Sequence, residues 1–109
     1  MAWEAVFALL KRVPKGRVIT YGRLARVAKL RGGARAAGYA MAACPKGRGI
    51  PWHRVVGAGG RILLREPQAS LQHRLLESEG IEFRGGRLDL EGREWRPSSS
   101  RKRPRSPRR

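Results

Sequence analysis

The sequence predicts a mainly α-helical α+β domain of the winged helix-turn-helix class, with short β-hairpins. Two segments in the first half of the chain have apolar residues at helical spacing and are separated by a Gly-Gly pair. Short runs of β-branched residues and leucines follow, and glycines flank them. The chain of 109 residues has room for one small hydrophobic core.

The first element is predicted to be an amphipathic helix. Its apolar residues recur with a period of about 3.6 residues: Trp3, Val6, Leu9, Leu10 and Val13. Pro14 and Gly16 are expected to end this helix. The stretch "RVIT" that follows is short, and we expect it to be extended.

A helix-turn-helix is predicted next. Thr20 suits the N-cap of a helix "YGRLARVAKL", whose apolar residues form one stripe. The sequence "RGG" interrupts the chain before a second helix, "ARAAGYAMAA", which consists mostly of small residues. Two short helices joined by a glycine-containing turn are typical of this motif, and the small residues would let the second helix approach a surface closely.

The wing is predicted from the segment after this motif. The β runs "HRVV" and "RILL" are linked by "GAGG", which indicates a hairpin. This hairpin would lie beside the helix-turn-helix and complete the winged arrangement.

One more helix and a second hairpin are predicted in the last third of the domain. Pro67 is expected to open the helix and Gly80 to end it. We expect three of its side chains to point inward: Leu71, Leu75 and Leu76. The runs "IEF" and "RLDL" flank a Gly-Gly pair and predict the hairpin.

The charge of the chain indicates a polyanionic partner. The net charge is +17, and the stretch from Ala5 to Arg65 holds fourteen lysines and arginines but no acidic residue. Seven of the eight acidic residues lie between Glu66 and Glu94. Nucleic acid is favoured over a membrane surface, because the sequence has no basic amphipathic helix with an aromatic face.

The chain is predicted to divide into a folded domain, residues 1–95, and a basic tail, residues 96–109. The tail contains only arginine, lysine, proline and serine, so it has no apolar side chain to bury and is expected to be disordered. Without its seven cations the net charge of residues 1–95 is still +10. The tail is therefore interpreted as a sequence-independent phosphate contact that weakens with salt.

Composition disfavours several other classes of protein. No apolar run approaches the ~20 residues that a membrane span needs, and the N-terminus lacks the features of a signal peptide. Cys44 is the single cysteine, so it cannot form an internal disulfide or, with two histidines, a zinc site. We expect no metal, no cofactor and no membrane contact, and a monomer in the cytoplasm, associated with the nucleoid if the source is bacterial.

Four motifs of the sequence resemble one known family. In chain order they are "VPKGRVITYG", "GARAAGYAM", "IPWHRVV" and "LLESEGIEF". They are similar to the C-terminal domain of O6-alkylguanine-DNA alkyltransferases, and more closely to their non-enzymatic relatives, the alkyltransferase-like proteins. The resemblance covers about residues 3–97. It implies a protein that binds O6-alkylguanine in duplex DNA by nucleotide flipping.

Trp52 stands where the resemblance places the nucleophilic cysteine of the transferases. A thiolate can attack an alkyl carbon, whereas an indole N–H is not ionised at neutral pH and has no available lone pair. The resemblance therefore implies a protein that is not an enzyme. Trp52 would supply an aromatic wall for an extruded base, although burial in an ordinary core is an alternative interpretation.

The resemblance assigns nucleotide flipping to Tyr21 and Arg35. Tyr21 would crowd the phosphate of the target nucleotide and line the lesion pocket, and Arg35 would fill the gap left in the base stack. The alternatives are a half-buried core ring at Tyr21 and a plain phosphate contact at Arg35. Four small or capping residues are assigned to the DNA backbone or minor groove: Thr20, Ala34, Ala36 and Gly38.

The remaining family positions surround the same pocket. Arg65 would stack on the alkylated base, or else be a surface arginine paired with Glu66. Cys44 replaces an asparagine that the transferases usually have, and we interpret it as a small buried hydrophobe. Four residues are expected to support the pocket: Pro51, His53, Arg54 and Glu79. The pair of His53 and Glu79 matches the base-activating network of the transferases, but it would be structural here.

Three functions follow from these observations. The first is a damage sensor that binds O6-alkylguanine without chemistry and channels it to nucleotide-excision repair, whose damage-recognition proteins would be its partners. The second is a residual alkyltransferase that uses another acceptor such as Cys44. The third is a winged-helix transcription regulator, which would prefer a defined undamaged sequence.

Overall fold

The computed structural model describes residues 3–45 and 48–96. Eight regular helices and strands occur in this part of the chain, in the order α1 Glu4–Leu10, β1 Ile19–Thr20, α2 Tyr21–Val27, α3 Gly33–Ala42, β2 Val55–Val56, α4 Gln68–Ser78, β3 Phe83–Arg84 and β4 Arg87–Leu88. Short 3-10 helices span Trp52–Arg54 and Ala58–Gly60. The predicted mixed, mainly helical fold class is confirmed.

Helix α1 supplies much of the larger core cluster. Val6 and Leu10 are fully buried, and Val13 follows them into the core after the helix has ended. The helix ends at Leu10, a turn earlier than Pro14 requires, and the N–H groups of Arg12 and Val13 bond three residues back. This tighter turn leads the chain away from α1 and toward β1.

Helices α2 and α3 form the predicted helix-turn-helix. Thr20 caps α2, because its hydroxyl oxygen accepts a hydrogen bond from the N–H of Arg23 at 3.1 Å. The connection between the helices adopts left-handed backbone conformations at three residues, Lys29, Gly32 and Gly33. The two helices then pack through Leu24 and the small residues of α3, which allow close approach.

The first predicted hairpin is wrong. Strand β2 does not pair with the segment after it but lies parallel to β1, with Ile19 opposite Val55 and Thr20 opposite Val56. Both valines are buried, so both faces of the strand are covered, and this is typical of a parallel strand rather than a half-exposed hairpin strand. The chain then turns through Ala58–Gly60, and Arg61 makes a bridge to Arg87 instead.

The C-terminal segment extends the small parallel sheet. Val18 forms a parallel bridge with Glu94, its N–H donates to the carbonyl of Arg93 at 2.9 Å, and the N–H of Trp95 donates to the carbonyl of Val18. Arg23 of α2 also forms an ion pair with Glu94 at 2.8 Å. The end of the folded part is thereby attached to the strand that leads into α2.

Helix α4 and the second hairpin follow the prediction with one exception. The helix begins after Pro67, and Gly80 follows its end with a left-handed φ of 89°. Strands β3 and β4 form the predicted antiparallel hairpin. The exception is Leu71, which is 40% exposed, whereas Gln72 occupies the inward position one turn before Leu76.

The described residues bear on two further features, a membrane-spanning helix and the boundary between the domain and the tail. Among residues 3–45 and 48–96, no helix is long and apolar enough to cross a membrane. The predicted boundary at residue 95 stays a prediction, since residues 97–109 of the basic tail lie outside the described residues.

Candidate functional site

A cavity of about 630 Å³ lies between the helix-turn-helix and the segment that precedes α4. It brings together the three residues predicted to line a lesion pocket, Tyr21, Trp52 and Arg65. The rest of its lining is largely apolar: Met41, Ala42, Cys44, Pro45, Gly49, Ile50, Leu64, Gln68 and Leu71. A cavity of this size, with apolar walls and few polar groups, suits an organic ligand the size of a nucleobase.

Trp52 is half-buried at the start of a 3-10 helix and presents one side to the cavity. Buried Pro51 precedes it, and the N–H of Trp52 donates to the carbonyl of Ile50 at 2.8 Å. Its ring meets that of His53 edge to face, with centroids 6.0 Å apart. These contacts hold the indole at the cavity wall, so it is not simply a core side chain.

Three of the four residues predicted to support the pocket, His53, Arg54 and Glu79, meet in one hydrogen-bond network around the Glu79 carboxylate. His53 Nε2 lies 2.8 Å from this carboxylate, Arg54 Nη2 donates to it at 2.7 Å, and the N–H of Gly16 donates at 3.0 Å. Arg54 also donates through Nη1 to the carbonyl of Val13 at 2.8 Å. The network therefore joins the end of α4 to the Trp52 segment and to the turn after α1.

The electrostatics of Glu79 follow from this network. Its side chain is 7% exposed, and burial by itself would raise the pKa of the carboxyl. The hydrogen bonds from Arg54, the N–H of Gly16 and His53 outweigh burial and lower the pKa from 4.5 to about 2. Glu79 is thus ionised at neutral pH and fully engaged in holding the segment.

Gln72 also holds the segment that carries Trp52, although this role was not predicted from the sequence. It is 1% exposed, and its Nε2 donates to the carbonyls of His53 and Val55 at 2.9 and 2.8 Å. Its Oε1 is buried without a protein partner among the described residues. A signal was present in the sequence: Gln72 precedes Leu76 by four residues, which puts a polar side chain on the inward face of α4.

Tyr21 is the first residue of α2 and lies where the core meets the cavity. Its ring packs partly against the larger core cluster, and burial raises the pKa of its phenol. The hydroxyl therefore remains a hydrogen-bond donor at neutral pH. Tyr21 was interpreted either as a half-buried core ring or as a pocket residue. Its ring contacts the core cluster and also lines the cavity, so its position fits both interpretations.

The residues of helix α3 that were assigned to DNA differ in their exposure to solvent. Ala34 and Arg35 are exposed and Gly38 is partly exposed, so these residues lie on the outer face. Ala36 is 9% exposed and lies on the inner side with Ala37, so its assignment to the groove is corrected. The reason is the helical period: Ala36 precedes the fully buried Ala40 by four residues, so the two lie on the same side of α3.

Arg65 is exposed to solvent and lies at the rim of the cavity. The alternative pair with Glu66 does not form, because the Glu66 carboxylate accepts hydrogen bonds from the backbone N–H and hydroxyl of Ser70 at 3.1 and 2.8 Å. No ion pair in the described part of the chain joins Arg65 to an acidic residue.

Cys44 is half-buried and lines the cavity. Burial raises the pKa of its thiol, an effect that the nearby charge of Arg48 opposes only in part. A thiol with a raised pKa is a poor nucleophile at neutral pH. Among residues 3–45 and 48–96, no group of three or more His, Cys, Asp or Glu residues is placed to hold a metal ion.

Comparison with known proteins identifies the family. The family model described as the DNA-binding domain of 6-O-methylguanine DNA methyltransferase matches residues 2–81. The chain belongs to this family. The match includes the helix-turn-helix, the Trp52 segment and Glu79, whereas the β3–β4 hairpin lies beyond it.

Two relatives of this chain are named for base flipping and for likeness to the alkyltransferases. A DNA base-flipping protein of Vibrio parahaemolyticus is 39% identical over 93 residues, which cover 84% of this chain and 93% of the relative. Alkyltransferase-like protein 1 of Schizosaccharomyces pombe is 35% identical over 83 residues, which cover 74% of this chain and 77% of the relative. The resemblance read from the four motifs is confirmed.

Solved structures of the family share the fold. Atl1 of S. pombe, in complex with damaged DNA containing O6-carboxymethylguanine, superposes with a TM-score of 0.77 and 32% identity over 87% of this chain and 94% of the other. OGT of Mycobacterium tuberculosis, in complex with DNA, gives a TM-score of 0.64 and 32% identity over 71% of this chain and 48% of the other.

Proposed function

We propose that this protein is a non-enzymatic DNA-damage sensor. It binds duplex DNA containing O6-alkylguanine, rotates the altered nucleotide out of the helix, and holds the base in the cavity. The observation that carries the proposal is that one cavity is lined by Tyr21, Trp52 and Arg65 and is bordered by α3. Relatives named for base flipping, and a structural neighbour bound to O6-carboxymethylguanine DNA, support the same function.

The electrostatics of the molecule suit a DNA partner. The basic stretch between Ala5 and Arg65 contains both the helix-turn-helix and most of the cavity lining. Arg35 lies on the outer face of α3, and a long planar cation can replace a base in the stack while it donates hydrogen bonds. Cationic side chains around the site would supply affinity that does not depend on sequence.

The base would be bound without chemical transfer. The indole of Trp52 can stack on a flipped base, and the Arg65 guanidinium can add cation–π attraction, but neither is a nucleophile. The network around Glu79 then has a structural role, since it holds the segment that carries Trp52. Extruding a poorly paired alkylated base costs less than extruding guanine, which favours the lesion.

Binding without transfer implies that another system completes the repair. We propose that the complex marks the lesion for the damage-recognition proteins of nucleotide-excision repair. The sensor would then work on cellular DNA, in the cytoplasm and with the nucleoid if the source is bacterial. Incision of an O6-methylguanine duplex by excision-repair proteins of the source organism should rise when the protein is added, and not when Arg35→Ala is added.

A gel-shift comparison tests the main proposal. The same duplex is prepared with guanine or O6-methylguanine at one position, and the mass of the protein is measured after the incubation. We expect tighter binding to the lesion duplex and an unchanged mass. Equal affinity for both duplexes would overturn the sensor function, and strong dependence on the undamaged sequence would indicate a transcription regulator.

A residual transferase is the second candidate, because Cys44 lines the same cavity as Trp52. In that case the Cys44 sulfur would bond to the alkyl carbon as the bond between this carbon and guanine O6 breaks, the thiol would lose its proton, and the restored guanine would take up a proton at N1. A peptide containing Cys44 that gains the mass of the alkyl group would establish this reaction. Cys44→Ser is the matched variant, since it would bind the lesion but show no mass change.

A further inference from the structure

The outer face of α3 carries one large aromatic side chain. Tyr39 is 63% exposed, the highest exposure among the large hydrophobic residues that the structure describes. The other residues of this face, apart from Arg35, are small: Ala34, Gly38 and Ala42. A tyrosine ring has a large apolar surface, and such rings are enriched where a partner covers the protein.

The position of Tyr39 relates it to the proposed flipping site. It follows Arg35 by four residues, so the two side chains are neighbours on one side of the helix, with Cβ atoms about 5–6 Å apart. The residues two and three positions later, Met41 and Ala42, line the cavity. Tyr39 is not part of the cavity lining, so it shares one side of the helix with Arg35 but lies outside the site that would hold the flipped base.

The chemistry around Tyr39 restricts what can cover it. No acidic residue occurs between Ala5 and Arg65, so the surface of α3 and its surroundings is basic and suits a polyanion. Tyr39 is itself uncharged, and its ring is separated by one helical turn from the residue that would occupy the vacated base position. A ring at this place would meet the sugars of neighbouring nucleotides rather than the flipped base.

We propose that Tyr39 is a lesion-independent DNA contact whose ring packs against the deoxyribose wall of the groove that α3 enters. This inference rests on the proposed function, because that function places the outer face of α3 against the DNA. Because the contact lies away from the flipped nucleotide, it stabilises complexes with damaged and undamaged duplexes equally. Because the side chain is uncharged, it releases no counterion and leaves the salt dependence of binding unchanged.

The test measures binding of the full chain by fluorescence anisotropy. Wild type, Tyr39→Ala and Tyr39→Phe are titrated with one duplex that holds either guanine or O6-methylguanine, at several salt concentrations between about 50 and 200 mM. We expect Tyr39→Ala to weaken binding to both duplexes by the same factor, about fivefold, with parallel salt plots. Tyr39→Phe keeps the ring and should retain most of the affinity.

Several outcomes would overturn the inference. They are wild-type affinity of Tyr39→Ala for both duplexes, a loss confined to the lesion duplex, a shallower salt slope, or an equal loss in Tyr39→Phe. Arg35→Ala is the comparator, since it should remove the preference for the lesion that Tyr39→Ala keeps. Equal wild-type affinity for the two duplexes would refute the proposed function, whereas the undamaged duplex alone still tests Tyr39.

Discussion

The Glu79 carboxylate accepts a hydrogen bond from Arg54 Nη2 at 2.7 Å, and this contact joins the end of α4 to the segment that carries Trp52. Side chains of both residues are largely buried, at 7% and 16% exposure. The charges compensate each other, and His53 and the N–H of Gly16 complete the shell around the carboxylate. The position of Trp52 in the cavity wall thus depends on the charge of Glu79, which holds the two residues after it.

The depressed pKa of Glu79 predicts an acid-dependent stability. Its folded pKa of about 2 lies below its ordinary value of 4.5, so the stabilisation is complete above about pH 5 and is lost as the pH falls toward 2. The difference corresponds to about 3 kcal/mol. Urea unfolding of the wild type and of Glu79→Gln between pH 7 and pH 2 measures this pH-dependent change in the free energy of unfolding.

The variant should be less stable at pH 7 and should lose less stability on acidification than the wild type, because the amide does not titrate. Parallel curves for the two proteins over this range would contradict the assignment. Glu82→Gln changes an exposed carboxylate that lies shortly after the same helix and has no ion pair among the described residues. It is the matched control and should leave the curve close to that of the wild type.

Gln72→Leu is expected to lower the free energy of unfolding by about 2 kcal/mol, because the carbonyls of His53 and Val55 lose their side-chain donor inside the protein. Gln68→Leu changes an exposed glutamine one turn earlier on the same helix and should alter stability by less than about 0.5 kcal/mol. Thermal and urea unfolding compare the variants. Equal effects of the two substitutions would show that the buried hydrogen bonds do not stabilise the fold.

Trp52→Ala is expected to weaken binding to the O6-methylguanine duplex about tenfold, since stacking on an aromatic ring contributes roughly 1–3 kcal/mol per base. Binding to the undamaged duplex should change little. Trp52→Phe keeps an aromatic wall and should retain part of the preference for the lesion. An undiminished preference in Trp52→Ala would remove Trp52 from the proposed pocket.

Arg35→Ala and Tyr21→Ala are expected to reduce affinity for the lesion duplex to that for the undamaged duplex. The reason is that the first removes the cation that would replace the flipped base and the second removes an aromatic ring from the cavity lining. Arg35→Ala should fold normally, because Arg35 is exposed. Tyr21 packs on the core, so its variant needs a thermal melt alongside. Lesion discrimination at the wild-type level in either variant would contradict the flipping assignment.

A chain that ends at residue 95 lacks the seven cations of the tail. Its affinity for undamaged duplex should fall, and the plot of log K against log salt should be shallower, because each phosphate contact contributes a slope of about −0.9. Anisotropy titrations at several salt concentrations measure both quantities. Identical slopes for the two chains would show that the tail does not bind phosphate. Replacement of the tail by a neutral segment of equal length separates charge from length.

Local patterns in the sequence predicted most of the helices. The apolar period near Val6 and Leu10, the cap at Thr20 and the left-handed Gly80 are properties of short segments, and each is found at its predicted place. The four motifs also identified the family. These features were predictable because neighbouring residues alone decide them.

The remaining features depend on contacts between distant segments. The runs around Val55 are equally compatible with a hairpin and with a parallel strand, and only the position of β1 decided between them. The inward position of Gln72 and the inner position of Ala36 likewise depend on which helix face the rest of the chain covers.

By itself the sequence determined the basic character, the helix-turn-helix and the tryptophan of the segment "IPWHRVV". The family resemblance predicted that Tyr21, Trp52 and Arg65 surround one pocket, but only the tertiary structure brings these residues, which are up to 44 residues apart, into the lining of one cavity. The tertiary structure also decided that Glu79 meets His53 and Arg54, the two residues that follow Trp52. The physical reason is that burial and charge compensation are properties of the assembled core, and no local segment contains them.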